Sequence, residues 1–184
     1  TLQHVSPPPV GATIVDKHPL HMARMPLVHR LFPDAKVILC LRHPCDVVLS
    51  CFMANFRLNW AMRQLTTLEG AAALYDTVFS AWTSATQCLP ISYHAVRYES
   101  LVEDTETEMR ALLAYLGLPW NDGVLDNTGA AARRDHIRTA SYAQVGEPIY
   151  KRAAGRWVRY REQMREVLPV LALWCERLGY PSPL

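Results

Sequence analysis

The sequence has little lysine, no paired CxxC cysteines and no long apolar run. Of its 19 basic residues only Lys17, Lys36 and Lys151 are lysine, and the other 16 are arginine. Arginine suits forked binding of phosphate and carboxylate better than lysine does, although an Arg- and Ala-rich genome accounts for the same bias. No stretch approaches the roughly 18 apolar residues of a membrane span. The opening "TLQHVSPPPVGATIVDK" has no charged-then-apolar pattern of a secretory leader. It also has no initiating Met, and a Pro triplet leads directly into an apolar run. The expectation is therefore an excised or processed chain with more protein upstream. Five cysteines, an odd number without a CxxC pair, argue against a disulfide framework. Cys40, Cys51, Cys88 and Cys175 sit in apolar segments and are expected to be reduced core thiols, which favours a cytosolic setting. The histidines of "HPLH" at 18–21 have no Cys or acid cluster to complete a zinc shell, so no metal is expected.

What remains is an ordinary globular composition. Half the residues are hydrophobic and a fifth are charged, and 184 residues suffice for one domain with its own core. A single domain is expected over 1–184, with a linker at 1–12 (including "SPPP" at 6–9) and an α/β core with C-terminal helices over 13–184. "ATIVDK" reads as a buried strand, and "HMARMPLVHRLF" as a helix kinked or restarted at Pro26. "KVILCLR" is nearly continuous and β-branched, which predicts a strand covered on both faces. "PCDVVLSCFMANF" begins with Pro at the favoured first helical position and has Asp46 in the first turn. A long amphipathic helix is predicted over Thr67–Cys88, a third strand over "ISYHAVRYE", and a helix ending at Gly117 after an acidic approach. Residues 125–148 read as polar loop, followed by helices at about 151–163 and 165–178. This alternation predicts a parallel sheet flanked by helices.

In open parallel sheets, ligands gather beyond the carboxyl ends of the strands. That rule singles out Lys17, Arg42 and Tyr98. Arg42 leaves its strand beside a helix N-terminus, where the dipole favours an anion. Ser50 lies four residues after Asp46 on the same helix face and could donate to the same anion. The alternative is local: Arg42 meets Asp46, and Ser50 bonds back to the preceding turn. Lys17 reads equally as a surface cap, and Tyr98 as a base-stacking ring or an ordinary strand aromatic. Between Arg133 and Arg161 eight basic residues face two acids, Asp135 and Glu147, which makes a local positive field.

In order and spacing these segments resemble the sulfotransferases that use 3′-phosphoadenylyl sulfate (PAPS). The likeness is strongest to protein-tyrosine sulfotransferases and to bacterial relatives in which this domain follows tetratricopeptide repeats. It runs from about Ile14 to Tyr180. "RHPCDVVLSCF" is similar to the family's 3′-phosphate motif, which implies Arg42 and Ser50 as phosphate ligands. "DKHPL" resembles the segment of the catalytic Lys, which would be Lys17. "VRYESLV" resembles the segment whose Tyr contacts the nucleotide, here Tyr98. "SYAQVGEPIY" resembles the loop that closes over the cofactor, which implies Ser141 near the sulfate and Gln144 and Tyr150 among the cofactor contacts. "AAGRW" places Arg156 where relatives carry a basic residue on the 3′-phosphate.

The resemblance implies a P-loop-type α/β sulfotransferase fold, N-terminally incomplete, that transfers a sulfuryl group from PAPS, without a metal, to a hydroxyl acceptor. The acceptor could be a peptide tyrosine, a carbohydrate or a small molecule. It implies a bacterial cytoplasmic protein, or a Golgi-lumen one if the chain is a eukaryotic tyrosine sulfotransferase. The family's Gly- and Ser/Thr-rich phosphosulfate loop has no counterpart here, nor do the Arg and catalytic Glu that follow it. Ala54 replaces an arginine that some relatives carry one turn after the Ser, with Arg57 only nearby. His18 and His136 are candidate bases by residue type alone. A non-catalytic module that binds PAPS or its product, 3′,5′-adenosine diphosphate (PAP), is the alternative. A nucleic-acid partner is not expected, because the 133–161 arginines form no regular stripe.

Overall fold

The computed structural model describes residues 11–54, 56–57, 59–126 and 153–184. Its sheet consists of two parallel strands among these residues, β1 (Val37–Leu41) and β2 (Tyr93–Arg97), paired in register Val37 to Tyr93 and Leu41 to Arg97. The connection between them is helical, as a parallel pair requires. It comprises α2 (Pro44–Met53), a 3-10 turn at Met62–Thr66 and the long α3 (Leu68–Cys88). Ahead of β1, a 3-10 turn over Pro19–Arg24 runs into α1 (Met25–Leu31), whose second residue is Pro26. Pro26 thus restarts a helix, because its missing N–H costs nothing in a first turn.

Local chemistry explains most of the boundaries. Thr67 caps α3 by accepting from Gly70 N at 3.0 Å, and Asp104 caps α5 (Thr105–Leu116) by accepting from Thr107 N at 3.0 Å. That bond holds the exposed Asp104 carboxyl below its usual range. Gly117 ends α5 in the left-handed region at φ 73°, a conformation that glycine adopts without strain. The acidic approach to α5 is itself a short helix, α4 (Tyr98–Glu103).

The core lies on one side of the sheet. Leu39 and Leu41 of β1 pack with Cys45, Val48 and Leu49 of α2, with the inner face of α3, and with α6 (Leu168–Arg177). Tyr75 and Phe79 stack with centroids 4.4 Å apart, and Trp174 of α6 tilts onto Phe79 at 5.5 Å. The Trp174 indole N–H donates to Asp76 Oδ1 at 2.8 Å, so this large ring is buried without stranding its polar atom. Burial pushes the Tyr75 hydroxyl pKa up.

Four expectations are corrected. "ATIVDK" forms no strand: residues 12–18 have no regular structure, and Ile14 and Val15 are 76% and 84% exposed. A strand needs a ladder partner, and among the described residues β1 pairs only with β2. Nor is β1 covered on both faces, since Ile38 and Cys40 stand exposed on the side away from α2 and α3. Cys88 is exposed as well and Cys51 is half-buried, so Cys175 is the only fully buried thiol of the four expected in the core; it is joined there by Cys45. The helix expected at 151–163 is, in its described part, a 3-10 turn at Arg156–Tyr160 entered through left-handed Gly155. Residues 125 and 126 are described, with Leu125 ending a 3-10 turn. The rest of the expected polar loop lies outside the described residues.

Replacing Trp174 by Ala removes a ring that is 2% exposed together with its bond to Asp76. The expected loss of stability is about 3–5 kcal/mol. It should appear as a lower urea midpoint with an unchanged m value in equilibrium unfolding.

Candidate functional site

The site begins where β1 ends. After Leu41 the chain passes through Arg42 and His43 and enters α2 at Pro44. Pro44 supplies a preset φ and no N–H to satisfy. Asp46, in the first turn of α2, is 1% exposed. Its Oδ2 accepts from Gly155 N at 2.7 Å and its Oδ1 from Trp157 N at 2.9 Å. The Arg42 guanidinium lies 3.8 Å from Asp46 Oδ1, donates to Ala153 O at 2.5 Å, and sits 5.0 Å over the Tyr98 ring. One buried carboxylate and one arginine thereby fix the segment that carries Arg156 against the exit of β1.

A second set of contacts ties the exit of β2 and the C-terminal segment to the same place. Glu99 Oε1 accepts from His43 N at 2.9 Å, while its Oε2 accepts from the Tyr180 hydroxyl at 3.0 Å. The Arg97 guanidinium lies 4.6 Å over the Tyr180 ring and donates to Leu178 O. Burial and the nearby Glu99 carboxylate push the Tyr180 hydroxyl pKa up, against the pull of Arg97. The His43 ring stacks on Trp157 at 5.1 Å and meets Tyr180 edge-on at 5.5 Å. Burial disfavours charge on His43, but bonds to Cys175 and Pro181 O and the Asp46 carboxylate outweigh it and raise its pKa.

The expected site residues therefore divide. Arg42, Tyr98 and the Arg156 segment come together at the strand exits. The local reading of Arg42 holds as well, since it does meet Asp46. This contact does not exhaust the side chain: Arg42 Nε is buried with no hydrogen-bond partner among the described residues. Ser50 is exposed on α2. Lys17 ends no strand and lies exposed in a segment without regular structure, a correction to its expected strand-end position. Ser141, Gln144 and Tyr150 lie outside the described residues. His21, of the "HPLH" pair, is engaged by Asp16 at 2.7 Å, and His18 accepts from Leu20 N at 3.2 Å.

Sequence reasoning missed His43, Glu99, Trp157 and Tyr180 as parts of the site. Glu99 adjoins a flagged residue, Tyr98, but its partners lie 56 and 81 positions away. No local pattern points to them.

Comparison with known proteins fits this geometry. A profile of the sulfotransferase family matches residues 2–122. The chain belongs to the sulfotransferase family. It is 30% identical over 178 residues to protein-tyrosine sulfotransferase 1 of Danio rerio, a match covering 91% of this chain and 48% of that protein. It is 28% identical over 180 residues to an uncharacterized protein of Aquifex aeolicus, covering 92% of this chain and 22% of that one. Over 116 residues it is 28% identical to an omega-hydroxy-beta-dihydromenaquinone-9 sulfotransferase of Mycobacterium tuberculosis, covering 58% of this chain and 29% of the relative. The chain thus spans from about a fifth to about half the length of these relatives. Within the family, an α/β fold with a parallel sheet is the expected architecture, and β1 and β2 conform to it. Among the described residues no helix is long and apolar enough to cross a membrane.

Asp46→Ala strands the buried Trp157 N–H and the more exposed Gly155 N–H and leaves Arg42 without its carboxylate. Breaking a buried pair of this kind costs about 3–5 kcal/mol. Asp46→Asn keeps the shape and one acceptor, so the expected order of urea midpoints is wild type, then Asn, then Ala. Equal midpoints for all three would show that Asp46 does not anchor the Gly155–Trp157 turn.

Proposed function

We propose that this chain forms the 3′-phosphate-binding side of a PAPS-dependent sulfotransferase acting on a hydroxyl group, with a peptide tyrosine as the acceptor. The observation that carries the reading is Arg42. It sits at a strand exit beside a helix N-terminus and lies against an aromatic ring, with a buried donor that no group among the described residues accepts. Such a donor suits a phosphate oxygen, so the residues present fit the nucleotide's 3′-phosphate. Family membership and similarity to a protein-tyrosine sulfotransferase support the donor and acceptor classes.

In this reading Arg42, Ser50 and Arg156 hold the 3′-phosphate, Tyr98 contacts the nucleotide, and Gln144 and Tyr150 belong to the loop that closes over it. Lys17 meets negative charge developing on the bridging oxygen, and Ser141 positions the sulfate. The acceptor oxygen forms the new S–O bond as the bridging S–O bond breaks, PAP departs, and the acceptor proton passes to a base. None of these residues is assigned as that base. The same scaffold without turnover would be a PAP-binding module, a reading favoured by the exposed, unstructured setting of Lys17. A cytoplasmic location accords with the reduced thiols.

Calorimetric titration with PAP tests the binding step. PAP should bind at least tenfold more tightly than adenosine 5′-monophosphate, which lacks the 3′-phosphate; tenfold corresponds to about 1.4 kcal/mol. Ser50→Ala, at an exposed position, should weaken PAP severalfold at unchanged stability, and Arg42→Ala should weaken it more. Equal affinity for the two nucleotides would remove the basis of the proposal. Sulfate transfer from PAPS to a tyrosine peptide then separates enzyme from binding module.

A further inference from the structure

Three side chains in the core are not used by the proposed chemistry. The Sγ atoms of Cys45 and Cys175 and a ring nitrogen of His43 lie within 4.8 Å of one another, and all three residues are buried. Cys45 belongs to the first turn of α2 and Cys175 to the last turns of α6, and both sulfurs are sealed from solvent at 0% residue exposure.

The spacing would suit a metal, but the histidine does not. His43 Nδ1 accepts from Cys45 N at 3.3 Å, so Nδ1 carries no proton. Nε2 faces Pro181 O at 3.3 Å and Cys175 Sγ at 3.9 Å, so it carries the proton and donates. Both ring nitrogens are committed, and neither offers a metal the lone pair that ligation requires. The two sulfurs, by contrast, form an asymmetric pair. The neighbouring Cys45 thiol, with His43 and against burial, holds the Cys175 pKa down. The same sulfur–sulfur contact, reinforced by burial, pushes the Cys45 pKa up. Cys175 is thus the more readily ionised and more nucleophilic member, with the Cys45 thiol beside it.

We propose that Cys175 and Cys45 are a two-thiol oxidation site, in which a small hydroperoxide oxidises Cys175 and Cys45 closes an intrachain disulfide. The Cys175 thiolate attacks the peroxide oxygen: an S–O bond forms, the O–O bond breaks, and the departing hydroxide takes up a proton as water. The sulfur is oxidised to a sulfenic acid and the peroxide is reduced. Cys45 sulfur then attacks the Cys175 sulfur: the S–S bond forms, the S–O bond breaks, and hydroxide leaves with the Cys45 proton as a second water. The enclosure of both sulfurs selects an oxidant of hydrogen peroxide's size, admitted by local opening, over a bulky disulfide. The product bridges 130 residues and joins the neighbour of Asp46 covalently to α6.

The experiment treats the folded chain, and a Cys40→Ser, Cys51→Ser, Cys88→Ser variant of it, with stoichiometric hydrogen peroxide. Alkylation under denaturing conditions and non-reducing peptide mass spectrometry follow. The expected result is loss of both remaining thiols, a mass lower by two hydrogen atoms, and a Cys45–Cys175 linked peptide that dithiothreitol releases. With Cys45→Ser added, dimedone should trap a sulfenic acid on Cys175, and no linked peptide should form. The proposal is overturned if both thiols persist while Cys40 and Cys88 of the unmodified chain are oxidised. It is equally overturned if one equivalent of zinc protects both thiols. These covalent readouts do not depend on nucleotide binding.

Discussion

The carboxyl group of Asp46 is buried with two acceptor oxygens to satisfy, and the surroundings of the strand exit can be read as the solution to that problem. A buried charge is tolerated only when it is paired and hydrogen-bonded. Here the partners are two backbone N–H groups from Gly155 and Trp157 and the guanidinium of Arg42. Satisfying one side chain therefore determines where a segment 109 residues away must lie. Gly155, at φ 68°, adopts the left-handed conformation that delivers its N–H to the carboxylate. Trp157 follows, stacking on His43, so that polar and aromatic contacts from the same two segments reinforce each other.

Arg42 shows how a structural role leaves room in one residue for the proposed binding role. Pairing with Asp46 and donating to Ala153 O orient the guanidinium, and orientation in advance is what anion recognition needs. The remaining donor, Nε, is the one that the proposed phosphate would take up. A lysine could not divide itself in this way, having no planar fork with donors in fixed directions.

Legibility in the sequence followed the range of the interactions. β1, α2, α3 and the end of α5 were readable because their signals are local: a β-branched run, Pro44 at the first helical position, an amphipathic period, and Gly117 in the left-handed region. Arg42 and Tyr98 were found by a rule about strand ends, which holds wherever the strands are correctly placed. The same rule misplaced Lys17, because "ATIVDK" has the composition of a strand but no ladder partner among the described residues. The helix expected at about 151–163 misled in another way, in its described part. Its apolar spacing is helical, but the turn's amides are committed to Asp46, and a tighter 3-10 path results. Glu99, Tyr180 and the Cys45–Cys175 contact join positions 81 to 130 residues apart, and no local pattern encodes such pairs.

The tie between His43 and Pro181, 138 residues apart, bears on how the protein is made. During synthesis the β1 exit emerges early and α2 can form, yet Asp46 lacks its two backbone donors and Glu99 the Tyr180 hydroxyl until residues 155–180 leave the ribosome. Until then the nascent chain holds an unsatisfied carboxylate and an uncovered apolar face, the features that slow folding and invite aggregation. The proposed anion site is therefore among the last parts of this chain to be assembled. A ribosome stalled before Trp157 would carry the segment "RHPCDVVLSCF" without the packing that gives Arg42 its direction.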